Sequence, residues 1–263
     1  MTRWMHKCSL NWLQTRQMFL TATDIKDLLP VTKTGRPRKI TEMDYLKVLA
    51  RKQTLLTEDD CISMGAAARG HILEPYAIQL FNDVSCASLL TLYHWDDAVV
   101  AKPGRRLAFS PDAMSVKQYD NASIVNVEVL EGESVTIAEV KSYSPEKHFI
   151  CGHTKKEDLE ERWQIATAMA LDKRIDTAYL LFYNPSMVDE RLYVVGYKRS
   201  DLLDEIATVL MVEHDWDEFI DKKIVTYGNI FQHPFYTGQY EEDIIAQIKQ
   251  EDKLNPRDYR SVE

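Results

Sequence analysis

The chain has 263 residues, 45% of them hydrophobic and 28% charged, with a formal net charge of −9. That is enough to bury a large core, as one α/β domain or two small ones, in a composition ordinary for a soluble globular protein. No apolar run approaches the ~18 residues of a membrane span, and the first residues lack the apolar stretch of a signal peptide, so a cytoplasmic location is expected. Cys8, Cys61, Cys86 and Cys151 are scattered without a Cys-x-x-Cys pair, which speaks against zinc ribbons and disulfide scaffolds and for buried free thiols. The negative total does not advertise nucleic acid, but a local basic surface decides that question.

Leu10 to Leu29 reads as helix, break, helix, with Thr23 or Asp24 as N-cap of the second helix and Pro30 as its end. Arg16 lies near a helix start, where free N–H groups attract anions; it is either a phosphate ligand or a solvated surface arginine. The basic loop from Thr32 to Lys39, with Arg36, Arg38 and Lys39, either follows a DNA backbone or solubilises the surface. A helix is expected from Glu42 to Gln53. A longer one runs from Ser63 to Phe81, with Ile72, Leu73, Tyr76, Ala77, Leu80 and Phe81 at helical spacing and a kink at Pro75. Glu74 shares the face of Ala77, Ile78 and Phe81, where a carboxylate needs either a basic side chain or a metal as its partner.

Asp112 follows Pro111 in a tight turn after an apolar run. Strands are expected at Ile124–Val129 and Val135–Lys141, joined by a turn at Glu131-Gly-Glu133. The second strand puts Val135, Ile137, Glu139 and Lys141 on one face. If the Asp112 turn lies beside it, two carboxylates and a lysine share a pocket, a set too costly to bury unpaired. A divalent cation with a preference for hard oxygen ligands, Mg²⁺, would supply the missing charge.

Tyr143 to Thr154 reads as a polar loop. From Glu157 a helix follows with the stripe Leu159, Trp163, Ala166 and Ala170, Lys173 and Arg174 in its last turn, and Gln164 beside the stripe. Two further strands, Ala178–Tyr183 and Leu192–Tyr197, precede one or two helices from Asp201, an aromatic loop Phe231–Tyr236 and a charged helix from Glu241. With no repeat or linker, one domain over 1–263 is expected, its core about 10–206 and a helical extension about 207–263.

Asp112 and Glu139-Val140-Lys141, preceded by a helix carrying Glu74, resemble the PD-(D/E)XK nuclease superfamily, and within it the lambda-exonuclease and YqaJ viral recombinase family. Trp12-Leu-Gln-Thr-Arg16 with Leu20-Thr-Ala-Thr23, Arg69-Gly-His-Ile-Leu-Glu-Pro-Tyr-Ala77, Ser110-Pro-Asp112, Trp163-Gln164, and Tyr183-Asn-Pro185 with Leu192–Gly196 stand in the family's order. The resemblance implies an α/β fold with a restriction-endonuclease-like core, a central mixed β-sheet flanked by helices. It implies Mg²⁺, with Mn²⁺ as a substitute, held by Glu74, Asp112, Glu139 and the Val140 carbonyl, and Lys141 orienting or deprotonating the attacking water. Arg16, Thr23 and Ser110 would cradle a 5′-phosphate, and Gln164 would position the substrate. The implied activity is a phage-encoded 5′→3′ exonuclease that digests one strand of linear double-stranded DNA in the bacterial cytoplasm. Family members work beside a single-strand annealing protein, and some are homo-oligomeric rings. Three residues depart from the pattern: Ala113 for glycine, Thr23 for serine and Ala168 for an aromatic residue. The alternatives are an endonuclease on the same fold and a non-catalytic adaptor that binds DNA ends.

Overall fold

A computed structural model describes residues 10–30, 38–54, 56, 65–85, 90–95, 99–101, 104–115, 134–154 and 160–227. The expected hairpin at 124–133, the aromatic loop and the last helix, Leu159 and Arg36 lie outside them, as do Cys8, Cys61 and Cys86. Two units divide the chain, 1–222 and 223–263, and the elements below belong to the first, apart from the end of the closing helix.

Helix α1 (Leu10–Gln17) leads into a short strand β1 (Leu20–Thr21) and helix α2 (Ala22–Leu28). The N-cap of α2 is Thr21, earlier than expected. Its Oγ1 accepts from the Asp24 N–H at 3.3 Å while Asp24 Oδ2 accepts from the Thr21 N–H at 2.8 Å, a reciprocal capping box. Thr23 therefore falls in the first helical turn. Helix α3 (Glu42–Lys52) starts with the same device, Thr41 and Asp44. Helix α4 (Gly65–Ser85) runs continuously through Pro75.

Only part of the expected α4 stripe is buried. Ala77, Ile78 and Phe81 pack on Ala113, Ala138, Val140 and Leu181 of the sheet, whereas Ile72 and Tyr76 are 66% and 58% exposed. At 100° per residue, Ile72 and Tyr76 form a row turned away from the one through Glu74, Ala77, Ile78 and Phe81.

The strands are β2 (Tyr93–His94), β3 (Val100–Ala101), β4 (Leu107–Phe109), β5 (Ala113–Met114), β6 (Val135–Lys141), β7 (Ile175–Tyr183) and β8 (Leu192–Lys198). They form two sheets, β1-β4-β3 and β2-β5-β6-β7-β8, the larger one mixed: β6 and β7 are parallel and the other neighbours antiparallel. The chain leaves the small sheet at Phe109 and joins the large one at Ala113. Ser110-Pro111-Asp112 is thus the corner between them.

Helix α5 (Pro145–Thr154) replaces the polar loop expected there. Ser144 accepts from the Lys147 and His148 N–H groups, Pro145 suits the first helical position, and His148 and Cys151 are buried against the fold. Helix α6 (Glu161–Leu171) packs on α2, β4 and β7. It is buried on nearly every side, so its pattern is not a single stripe. Lys173 and Arg174 lie beyond its end, and Arg174 instead pairs with Asp172.

A 3₁₀ turn, Arg199–Leu202, opens into helix α7 (Leu203–Tyr227). Its buried Glu213 takes the Arg105 guanidinium and, with Oε1, the Arg106 N–H at 2.8 Å, which pins the start of β4. The architecture is a mixed α/β core with its sheets flanked by helices, as expected. No described helix is long and apolar enough to cross a membrane.

Candidate active site

The register of the strands dictates the site. Ala113 pairs with Ala138 across β5 and β6, which sets Asp112 beside Glu139 and Val140. Asp112 is buried, and its Oδ2 accepts from the Val140 N–H at 2.7 Å. The tight turn therefore does lie against the strand. Ala113 needs no positive φ, because the described non-glycine residue with that conformation is Glu190. Its methyl group packs in the core with Phe81 and Leu181 instead.

In the same way, the pairing of β1 with β4 brings Thr21 beside Ala108, so the first turn of α2 faces the corner at Ser110. Arg16 closes this corner: Nη1 donates to Ser110 Oγ at 2.9 Å and Nη2 to Thr23 Oγ1 at 3.3 Å. The guanidinium lies 4.3 Å from the centre of the Trp12 ring, and the Arg16 carbonyl accepts from Lys52 Nζ. A planar cation flanked by two hydroxyls is a ready-made anion site.

One cavity of about 490 Å³ is lined by Arg16, Thr23, Glu74, Ser110, Asp112, Glu139, Val140, Lys141 and Gln164. Nine side chains or backbone groups singled out in the sequence thus meet in one place. Ala168 lines it too. Of the basic loop, the described Arg38 and Lys39 are not among the lining residues. Arg38 pairs with Asp44 at 2.9 Å, and Lys39 is exposed.

Lys141 Nζ donates to Glu139 Oε1 at 2.9 Å and to Gln164 Oε1. Burial disfavours its charge, but Glu139, Glu161 and Asp112 outweigh that and hold its pKa above the ordinary lysine value. Gln164 is therefore a direct partner of Lys141, beyond its place beside a helix stripe.

Three residues of the site were not visible beforehand. Two of them stand at Glu74, which is only 4% exposed: His71 Nδ1 and His94 Nε2 lie 2.7 and 3.3 Å from its two oxygens. His71 sits three residues before Glu74 on α4, a spacing that places both on one face. His94 comes from β2 and is brought there only by the sheet. The third is Glu161, at the start of α6, which lies 3.0 Å from Lys141 Nζ.

Glu74, Asp112, Glu139 and the Val140 carbonyl are hard oxygen donors around one cavity, the chemistry that Mg²⁺ takes. Among the described residues, no three His, Cys, Asp or Glu side chains gather closely enough to hold an ion together. The protein itself engages them, through histidines at Glu74, the Val140 amide at Asp112 and Lys141 at Glu139. The donor set suits the cation in kind.

Neither a protein-family profile nor a curated protein sequence matches this chain. Solved structures do. The crystal structure of LHK-Exo in complex with dAMP aligns with a TM-score of 0.52 at 16% identity, covering 83% of this chain and 99% of that one. The alkaline exonuclease LHK-Exo from Laribacter hongkongensis gives the same TM-score and coverage at 15% identity. The chain has the fold of an alkaline exonuclease. At this identity the likeness is one of fold, and its breadth means that the whole exonuclease chain has a counterpart here.

Proposed function

We propose that this protein is a Mg²⁺-dependent 5′→3′ exonuclease that shortens one strand of linear double-stranded DNA and leaves a 3′ single-stranded tail. The observation that carries this is the meeting, in one cavity, of the Arg16–Thr23–Ser110 anion cradle with the Glu74, Asp112, Glu139 and Lys141 group. A nuclease acting from an end needs both functions: one holds the terminal phosphate, and the other attacks the next phosphodiester. The fold shared with an alkaline exonuclease, and a relative seen with dAMP, support the same substrate class.

Arg16 would take the 5′-phosphate through charge-assisted hydrogen bonds, with Thr23 and Ser110 completing the cradle. Glu74, Asp112, Glu139 and the Val140 carbonyl would hold the cation, Mg²⁺ or Mn²⁺ in its place, which supplies Lewis acidity for phosphodiester hydrolysis. Lys141, kept charged by its carboxylate neighbours, would offset negative charge at the scissile phosphate and orient the attacking water. Gln164 fixes the direction from which that ammonium enters. The 3′ tail produced is what a strand-annealing partner would use.

The deciding experiment is digestion of a 5′-phosphorylated linear duplex with and without Mg²⁺, the products resolved by strand. The expected result is Mg²⁺-dependent loss of the 5′-ended strand alone. Degradation of both strands, or of neither, would remove this reading.

A further inference from the structure

Glu161 is the first residue of α6 and stands three before Gln164, so both side chains leave the helix on one face. Its side chain is 5% exposed, and Lys26 of α2 donates to Oε1 at 2.7 Å. The Tyr143 hydroxyl donates to that oxygen at 3.4 Å. Oε2 lies 3.0 Å from Lys141 Nζ, as an ion pair without the alignment of a hydrogen bond. The buried carboxylate is therefore held between two ammonium groups from different elements.

We propose that Glu161 is the positioning residue for Lys141, fixing its ammonium from the helix side so that its place in the cavity does not depend on Glu139. This rests on the nuclease reading above and deepens it. Of the groups around Nζ, Glu139 and Gln164 line the cavity, where a cation or a phosphate would compete for them, and Glu161 does not. A lysine ammonium on its four-carbon stem is mobile unless held. When Glu139 turns to another partner, Glu161 keeps the charge where it is. Glu161 itself has no cheap alternative position, because withdrawing this buried carboxylate would take it from both the half-buried Lys26 and Lys141 and leave it without its ammonium partners.

The opposing explanation is a brace that joins α2, α6 and β6 and has no bearing on the chemistry. Lys26 separates the two, because it belongs to the brace and does not contact Lys141. The test compares Glu161→Gln, Glu161→Asp and Lys26→Met with the unsubstituted protein on 5′-phosphorylated linear duplex in Mg²⁺, with kcat, KM and Tm measured for each and end binding measured in Ca²⁺. Glu161→Gln is expected to lower kcat roughly 10²-fold, the scale of a misplaced catalytic group, while KM and Ca²⁺ binding stay near their starting values. Glu161→Asp keeps the charge at the cost of shape and should retain more kcat than Glu161→Gln. Lys26→Met should lose Tm yet keep kcat.

An unchanged kcat in Glu161→Gln overturns the proposal, and so does an equal fall in kcat for Glu161→Gln and Lys26→Met. If Glu161→Gln does not fold, Glu161→Asp decides: its shorter reach must lower kcat without moving KM. A protein that never cleaves DNA brings down the nuclease reading and this proposal together. One that cleaves normally in all three variants brings down the proposal alone.

Discussion

Two cations line the cavity, and the proposed reaction gives each a different task. Arg16 is set by Ser110, Thr23 and the Trp12 ring, a geometry that suits a terminal phosphate. Hydrogen bonds to a charged group contribute about 1.5–3 kcal/mol each. Arg16→Ala should therefore lower kcat/KM on 5′-phosphorylated ends by about 10- to 100-fold and leave 5′-hydroxyl ends nearly untouched. Rates on the two ends, measured side by side, check this; no preference in the unsubstituted protein would already contradict it. Lys141 would carry the second role. Because its neighbours favour the ammonium form, the proposed reaction would use it by charge and not as a proton acceptor at neutral pH. Lys141→Ala should cut turnover by at least about 10²–10³-fold and leave end binding in Ca²⁺ intact. Unchanged turnover would take Lys141 out of the mechanism. Asp112, Glu139 and Lys141 were legible because a strand's alternation is rigid, and a turn before its neighbour leaves few places for the aspartate. The histidines at Glu74 and the second carboxylate at Lys141 were not. His94 and Glu161 reach the site from other elements, through the pairing of β2 with β5 and the packing of α6, which no local pattern encodes.

At the level of elements, α2 holds Thr23 of the proposed phosphate cradle in place, and Asp24 holds α2. Its carboxylate caps the helix through Thr21 and also receives Lys52 and Arg51 from α3. Burial opposes its ionisation, yet Lys52 and Thr21 outweigh that and depress its pKa. Asp24→Ala would take the carboxylate from the nearly buried Lys52 and remove the reciprocal half of the capping box, a loss of about 3–5 kcal/mol by urea denaturation. The pH dependence has a definite sign. A carboxyl whose folded pKa is depressed contributes its full stability above the unfolded value, ~4, and loses it as pH falls through the folded value. Glu161, lowered by Lys141 and Lys26 against the opposing effect of burial, adds to the same limb. Asp24→Asn should make stability fall less steeply with acid below about pH 4, and an unchanged slope would show that Asp24 titrates as in the unfolded chain. The sequence gives α2 but misplaces its cap, since Thr21, Thr23 and Asp24 are all good caps and only the pairing of β1 with β4 selects among them. Helix α5 was misread for a related reason. Its apolar residues point both ways, His148 and Cys151 inward and Phe149 and Ile150 outward, so no periodicity announces it.

For the whole molecule, charge and cavity size bear on which DNA is cut. A net charge of −9 repels a polyanion at long range, so productive contact depends on the few cations around the cavity and should weaken steeply with salt. The cavity of about 490 Å³ falls in the range of small-molecule sites. Such a volume suits a nucleotide or so of one strand better than an intact duplex. The Arg16 cradle stands on its wall, where an uninterrupted backbone offers no terminal phosphate with its extra charge. On the proposed function, both features favour a free strand end as the substrate. Linearised plasmid with 5′-phosphates should be degraded in Mg²⁺ while the same plasmid as a covalently closed circle stays intact, and a single nick bearing a 5′-phosphate should be attacked more slowly than a blunt end because its strand must first peel away. Gel analysis of the three forms at one enzyme concentration checks this. Cutting of the closed circle would show that the cavity opens widely enough to admit an internal phosphodiester, and would favour the endonuclease alternative over the proposed exonuclease.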